Sequence, residues 1–359
     1  MISKKNKLDF VSIFFCSRCN LHCIHCGYGF TNNTKKDELP VSVFVDALKE
    51  AKELGATSVN ITGGEIFIRD DCFDLLDAAY GLGYRINIET NGVLLKDEDI
   101  ERLKRYGSDL RVSFSVDGLN RETHEKIRGK GTFDKTMNVL NRLRQSDVRV
   151  RVNTVMQQFN KDQIPDMAKY FVEELGVGFR LLPSILEQET EDSCNCIKLE
   201  VPYADIDHLL NSFMYDFMRK HKDKDISLSV NVALVPFDIE NFMLCPWGRN
   251  SLGISYDGTV SLCHNRSGNE AFVFGNLKEK SLKEIWINSE RANFFKNYNC
   301  RKLKGVCAKC LAKKICRGGC RVHAMAAYGD IYAPDPFCQK VYELGKFPAY
   351  ALRDSACDE

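Results

Sequence analysis

The sequence predicts an α/β fold: a partial (β/α)6 TIM-like barrel followed by a small cysteine-rich extension with a β-hairpin and short helices. Three observations predict it. Between Phe10 and Pro183, six β-branched apolar runs alternate with stretches that carry apolar residues at helical spacing. Gly55, Gly83, Gly107 and Gly176 stand where those helices should stop. Beyond Met243 the periodicity fades and cysteines crowd the chain.

In chain order, strands are expected at 11–15, 58–61, 85–89, 110–116, 148–155 and 178–182, and helices at 41–54, 73–82, 97–105, 133–144 and 163–175. Such strand–helix–strand repeats make right-handed crossovers and a parallel sheet. Six strands fall short of a closed eight-stranded barrel, so an open one is expected, with its chemistry at the carboxyl ends of the strands. The polar stretch from Glu187 to Cys196 reads as a loop, and a helix is expected over 203–221. Further on, GISYDGTVSLC sets two alternating runs about an Asp257-Gly258 turn, a hairpin signal. The domain reading is a barrel over 1–186, a linker and helical connection over 187–243, and the extension over 244–359.

At 359 residues, 44% hydrophobic and 28% charged, the chain is long enough to bury more than one core. Its 50 Lys and Arg nearly balance 49 Asp and Glu, so no overall field recruits nucleic acid or an anionic membrane. MISKKNKLDF lacks the apolar run of a signal peptide, and no later stretch is long enough to cross a bilayer. A cytoplasmic protein with no nucleic-acid or membrane partner is expected. In that reducing compartment, sixteen cysteines point to metal sites or redox chemistry rather than disulfides.

The first group lies in CSRCNLHCIHC. Cys19, Cys23 and Cys26 have the spacing C-x3-C-x2-C directly after the first strand. Three thiolates can hold three irons of a cubane and leave the fourth without a protein ligand. Zinc, with His22, His25 or Cys16 as fourth ligand, is the alternative. TGGE closes the second strand: Gly63 and Gly64 let the backbone come close to a ligand, and Glu65 can pair with an ammonium group. ETNG puts Thr90 and Asn91 at the end of the third strand, and SFSVDG puts Ser115 and Asp117 on one face of the fourth. Arg128 in IRGKG and Asn153 in VNTV are further candidates, Arg128 being equally readable as a solvated helix-end charge.

CNLHCIHC with the downstream TGGEIF resembles the radical S-adenosylmethionine superfamily. His25 departs from it, standing where many members have an aromatic residue. The resemblance implies that the methionine moiety chelates the open iron, and that one electron from the reduced cluster yields a 5'-deoxyadenosyl radical. It also implies that Gly63, Gly64 and Glu65 bind the methionine amino group, and that the strand ends at Thr90, Asn91, Ser115 and Asp117 meet its carboxylate or the ribose.

The second group is Cys307, Cys310, Cys316 and Cys320, spaced C-x2-C-x5-C-x3-C, with Cys338 beyond and Cys245 and Cys263 flanking the hairpin. The array resembles the seven-cysteine SPASM extension, and CRGGCRVHAMAAYGDIYAPDPFC is similar to pyrroloquinoline-quinone peptide cyclases and haem-maturing relatives. This implies two auxiliary [4Fe-4S] clusters beside the first. Cys307, Cys310, Cys316 and Cys338 would close one; Cys245, Cys263 and Cys320 would hold the other, its fourth ligand absent or supplied by His264, Cys300 or another residue. His264 is also a candidate acid or base, because sulfatase-maturating members use an acid at that place. Cys16, Cys72, Cys194, Cys196, Cys300 and Cys357 read as incidental thiols.

The activity so implied is hydrogen abstraction from a substrate, first a side chain of a ribosomal peptide or protein that is oxidised or crosslinked. A tetrapyrrole or other small molecule is the alternative; a non-catalytic iron–sulfur carrier or zinc-binding module is the alternative of another class. Only about ten residues precede the first strand, where many peptide-modifying relatives carry a recognition domain. A flavodoxin or ferredoxin donor is implied as partner.

Overall fold

The computed structural model describes residues 6–26, 37–183, 201–236, 238–239, 245–263 and 269–353. They fall into two compact units, one built from residues 1–154, 166–179 and 246–297, the other from 155–165, 180–245 and 298–359.

Strands β1 (Phe10–Phe14), β2 (Ser58–Thr62), β3 (Arg85–Thr90), β4 (Leu110–Ser115), β5 (Arg149–Met156) and β6 (Gly178–Pro183) alternate with helices α1 (Val41–Glu53), α2 (Cys72–Gly81), α3 (Asp97–Lys104), α4 (Arg121–Arg128), α5 (Phe133–Leu143) and α6 (Ile164–Lys169); all but the end of β5, the start of α6 and most of β6 belong to the first unit. Neighbouring strands pair in parallel, with Phe10 opposite Ser58, Ser58 opposite Arg85 and Arg111 opposite Arg149. Helix α1 explains itself by spacing: Phe44, Ala47, Leu48 and Ala51 fall on one stripe, and all four are buried. Helix α6 passes into a π-helical turn at Tyr170–Glu174. Helix α4 has no counterpart among the expected elements, because RETHEKIR offers too few apolar positions. It is started instead by Asn120, whose side chain accepts the Thr123 N–H at 3.0 Å.

One sheet face carries polar side chains where apolar ones would be the default. The Asn60 amide donates to the Ser12 hydroxyl at 3.5 Å, Asn87 donates to Asn60, the Ser113 hydroxyl donates to Asn87 at 2.9 Å, and Arg151 donates to Ser113 at 3.3 Å. This chain of bonds crosses five strands, and it lets Ser12, Asn60, Ser113 and Arg151 stay buried.

In the second unit β6 runs on beside β7 (Ile226–Leu228), where Ser229 N–H donates to the Leu181 carbonyl at 3.0 Å. The Glu187–Cys196 stretch lies outside the described residues. Helix α7 (Tyr203–Leu209) continues through a π-helical turn into α8 (Tyr215–Lys220).

The hairpin expected in the extension forms as β8 (Ser251–Ser255) and β9 (Thr259–Ser261), followed by β10 (Val273–Asn276), and it belongs to the first unit. β8 lies parallel to β1, Phe10 opposite Ser251 and Phe14 opposite Ser255. An open barrel leaves the outer edge of its first strand unpaired, and β8 covers it. Helices α9 (Leu282–Asn288) and α10 (Glu290–Lys296) pack with it; Trp286 is fully buried and its indole N–H donates to the Asn6 carbonyl at 2.9 Å. Short helices α11 (Gly305–Lys309), α12 (Lys313–Cys316), α13 (Arg321–Tyr328) and α14 (Pro336–Glu343) follow in the second unit. Among the described residues, no helix is long and apolar enough to cross a membrane.

Candidate functional site

At the carboxyl end of β1 the chain enters the cysteine loop, which backbone hydrogen bonds fasten down. Phe15 N–H donates to Thr62, Gly64 N–H to Cys16, Glu65 N–H to Arg18 and Ile24 N–H to Ile127, over 2.7 to 3.0 Å. Cys26 N–H donates to the Cys23 carbonyl at 3.0 Å, folding the last two cysteines into one turn. Glu38 clamps the loop from outside: its carboxylate accepts Ser17 N–H at 2.9 Å and pairs with the Arg18 guanidinium at 3.0 Å.

The two glycines of TGGE have a use that their motif did not show. A Cβ on Gly64 would overlap the Arg18 carbonyl oxygen and sit 2.5 Å from its carbon, and one on Gly63 would lie 2.9 Å from the Cys16 oxygen. The close approach that they permit is that of the cysteine loop itself.

Glu65 is only 1% exposed, and the chain already engages its carboxylate. It accepts the Thr90 hydroxyl and the Asn91 N–H, each at 2.8 Å, and the Phe67 N–H at 3.3 Å. Burial pushes its pKa up to about 6 against these donors. The Asn91 amide in turn donates to Asn20 at 2.9 Å, inside the cysteine loop. Glu65, Thr90 and Asn91 therefore lock the ends of β2 and β3 to that loop.

Arg128 is not a solvated helix-end charge. It is buried, its Nε donates to the fully buried Asp117 carboxylate at 2.6 Å, and its Nη1 lies 3.9 Å from Cys23 Sγ. Because α4 ends at Arg128, the helix that the pattern missed is the one that brings this cation to the cysteines. Burial pushes the Cys19 thiol up to about 12; it also raises that of Cys23, with Arg128 opposing. Thiols so placed ionise when a metal takes the proton's place. Cys16 is turned away, its Sγ donating to the Glu65 carbonyl at 3.2 Å.

Ser115 and Asn153 face each other in register on β4 and β5. Asn153 is 9% exposed, yet no described residue donates a hydrogen bond to its Oδ1. An orphaned buried acceptor at the strand ends is what a ligand bearing N–H or O–H donors satisfies, and S-adenosylmethionine fits it.

In the second unit Cys307, Cys310, Cys316 and Cys338 line one recess, together with Asp335 and Phe347. Burial pushes Cys307 up to about 11 and Cys316 to about 12, and also raises Cys310 and Cys338. Four soft donors in one recess fit an iron–sulfur cluster. Among the described residues, no three His, Cys, Asp or Glu side chains converge as ligands of a single ion do; a cubane asks instead for one thiolate per iron.

Asp335 organises this site and was absent from the sequence reading. Its Oδ1 accepts Asn231 Nδ2 at 2.8 Å and the N–H groups of Phe337 and Cys338, its Oδ2 accepts Cys320 N–H at 3.2 Å, and its own N–H donates to Cys307 Sγ at 3.4 Å. The Asp-Pro pair before Cys338, an N-cap followed by proline in the first turn of α14, is the signal that could have found it. Gly319 makes room for it, since a Cβ there would come 2.8 Å from Asp335 Cγ. Asp335→Ala is expected to destabilise the cluster-free protein by about 3 kcal/mol, for the lost cap and the stranded donors, measured by urea unfolding. Asp335→Asn, which keeps the acceptor at Oδ1, should recover most of that loss.

Cys320 and the exposed Cys245 belong to the second unit and Cys263 to the first. His264, Cys194, Cys196 and Cys357 lie outside the described residues. Cys72 is buried, and Cys300 Sγ lies 4.0 Å from the Tyr298 carbonyl.

A three-cysteine loop at the head of an open parallel barrel, with a separate four-cysteine recess, defines an iron–sulfur enzyme. Comparison gives its family: residues 13–171 match the model of the Radical SAM superfamily, and residues 245–311 match SPASM, an iron-sulfur cluster-binding domain. The chain thus carries a radical SAM domain over 13–171 and a SPASM domain over 245–311; it is an enzyme, and its cofactors are [4Fe-4S] clusters and S-adenosylmethionine. The non-catalytic carrier and the zinc module are thereby set aside. An AdoMet-dependent heme synthase of Methanosarcina barkeri is 29% identical over 96% of this chain and all of its own length. A PqqA peptide cyclase of Rhizobium meliloti is 26% identical over 89% of this chain and 84% of its own. The fold is also that of Streptococcus suis SuiB, solved bound to S-adenosylmethionine, with a TM-score of 0.74 and 21% identity over 93% of this chain and 78% of SuiB.

Proposed function

We propose that Cys19, Cys23 and Cys26 hold the cluster that binds S-adenosylmethionine, and that the enzyme oxidises or crosslinks a side chain of a ribosomal peptide or protein. The observation that carries the first part is the fastening of the three-cysteine loop to Glu65, Thr90, Asn91 and Arg128 at the strand ends. The second part is supported by the PqqA peptide cyclases among the relatives, and by the kinship in fold with SuiB, which has been solved with its precursor peptide SuiA.

When bound, the reduced cluster and S-adenosylmethionine would supply radical chemistry for hydrogen-atom abstraction from the substrate. The chain's own residues prepare for it. Gly63 and Gly64 seat the loop, Glu65 holds Thr90 and Asn91 in place, and Arg128 sets a positive charge beside Cys23. Ser115, Asp117 and Asn153 complete the ligand wall, Asn153 offering its unused acceptor to the cofactor. Cys307, Cys310, Cys316 and Cys338 hold a closed auxiliary cluster. Cys245, Cys263 and Cys320 hold a second, with His264 as its further ligand or as the acid–base group. In this reading the functional parts are the barrel over 1–186, the connection over 187–243 and the cluster-bearing extension over 244–359. The enzyme works in the cytoplasm with flavodoxin or ferredoxin as donor.

The test is anaerobic reconstitution, reduction with dithionite, addition of S-adenosylmethionine, and assay of 5'-deoxyadenosine beside iron per chain. The Cys19→Ala, Cys23→Ala, Cys26→Ala variant is expected to form none while keeping the iron of the distal sites. Cleavage that survived in it would sink the assignment of the first cluster. A tetrapyrrole substrate is the second reading, favoured by the heme synthase that aligns over nearly the whole chain. Loss of hydrogens from an offered precursor peptide, rather than from an iron porphyrin, decides for the first.

A further inference from the structure

Charge is unevenly shared along this chain. The whole carries a net +1, yet from Tyr298 to Arg353 eleven Lys and Arg stand against three Asp and Glu. The four cysteines of the recess lie within this basic segment.

The wall of that recess has two sides. Residues 309–311 run antiparallel to 351–353, with Cys310 opposite Leu352; Leu311 N–H donates to Ala351 at 2.9 Å and Arg353 N–H to Lys309 at 3.0 Å. Cys310 points inward, 5% exposed, while Lys309, Leu311 and Arg353 are on the outside. One helical turn beyond Leu311 stands Ile315, next to Lys314. Leu311 is 56% exposed, Ile315 59% and Tyr350 46%. Exposed apolar side chains (Leu311, Ile315, Tyr350) and exposed cations (Lys309, whose ammonium also donates to the Tyr342 hydroxyl at 3.2 Å, Lys314 and Arg353) thus stand together on the two segments that meet at Cys310 and Leu352.

We propose that this face docks an acidic electron-transfer protein, which passes one electron to the cluster of Cys307, Cys310, Cys316 and Cys338. The proposal rests on the reading of those four as cluster ligands. A cluster closed by four thiolates has no open iron, so electrons are what it can exchange with a partner. The step breaks no bond and moves no proton: the donor is oxidised by one electron and the cluster is reduced by one. Weak redox encounters use small interfaces, and a ring of one sign speeds the meeting with a partner of the other. Nucleic acid also seeks basic surfaces, but a single-stranded site offers aromatic faces for stacking, and this face is centred on a leucine and an isoleucine.

The experiment uses reconstituted holoenzyme and reduced flavodoxin, an acidic one-electron donor, in an anaerobic stopped-flow instrument. The second-order rate of cluster reduction is expected to fall at least about tenfold from low to high salt. At low salt it should fall by a similar factor in the Lys309→Glu, Lys314→Glu, Arg353→Glu variant. Leu311→Ser with Ile315→Ser should slow it as well. Reduction by dithionite, iron content and dithionite-driven 5'-deoxyadenosine formation should match wild type in all variants, which shows that clusters and fold are intact. Flavodoxin reduction at the wild-type rate in the charge-reversed protein would overturn the proposal. So would binding of a single-stranded RNA oligonucleotide that the same substitutions abolish while leaving the flavodoxin rate unchanged. Failure of dithionite to reduce any distal cluster in wild type would instead overturn the ligand assignment beneath it.

Discussion

Gly64→Ala is expected to deprive the protein of its first cluster while leaving the distal iron in place. The added methyl would overlap the Arg18 carbonyl and sit 3.0 Å from Cys19 N, and these are backbone atoms of the loop that must present Cys19. Side chains can rotate away from an intruding carbon, but this backbone is tied by Glu65 N–H to Arg18 at 2.8 Å and by Gly64 N–H to Cys16 at 3.0 Å. Relief therefore means undoing the fastening of the loop. Iron per chain should drop by about one cubane, and 5'-deoxyadenosine formation should fall to background. Full iron and normal cleavage in this variant would mean that the loop can sit elsewhere and still work.

Asp117→Ala carries the second large effect. It strands the Arg128 guanidinium in a buried position beside Cys23, and removing one partner of a buried pair typically costs about 3–5 kcal/mol. Urea unfolding of the cluster-free protein measures it. The double variant Asp117→Ala, Arg128→Ala should lose less than the two single variants summed, because neither charge is then left alone. Strict additivity would show that the pair is not coupled.

Much of the fold was legible because the barrel strands are β-branched and the helices between them carry regular apolar stripes. β1 to β6 lie within a residue or two of their expected bounds. Helix α4 was not legible, since its residues are polar and its start depends on a side-chain cap. The position of β8 was not legible either: Asp257-Gly258 announces a hairpin locally, but nothing in a hairpin's own sequence names the third strand beside it. The cysteine sets could be read from spacing alone. Their supports could not, because Glu38, Asn20 and Asp335 act through contacts between distant positions: Asn20 meets Asn91 and Asp335 meets Asn231. The polar chain from Ser12 to Arg151 was hidden for a related reason, as each strand contributes one member and only the assembled sheet makes a row of them.

The pairing of β1 with β8 also bears on how the molecule comes into being. Phe10 and its partner Ser251 are 241 positions apart, so during synthesis the first strand waits for most of the chain to emerge before its second edge is covered. Closing so long a loop is entropically slow, and pairings of this range delay folding. Until then the nascent barrel exposes an open edge next to reactive thiols, a state prone to aggregation and oxidation. The second edge of the first strand is thus completed only after residues 251–255 have emerged.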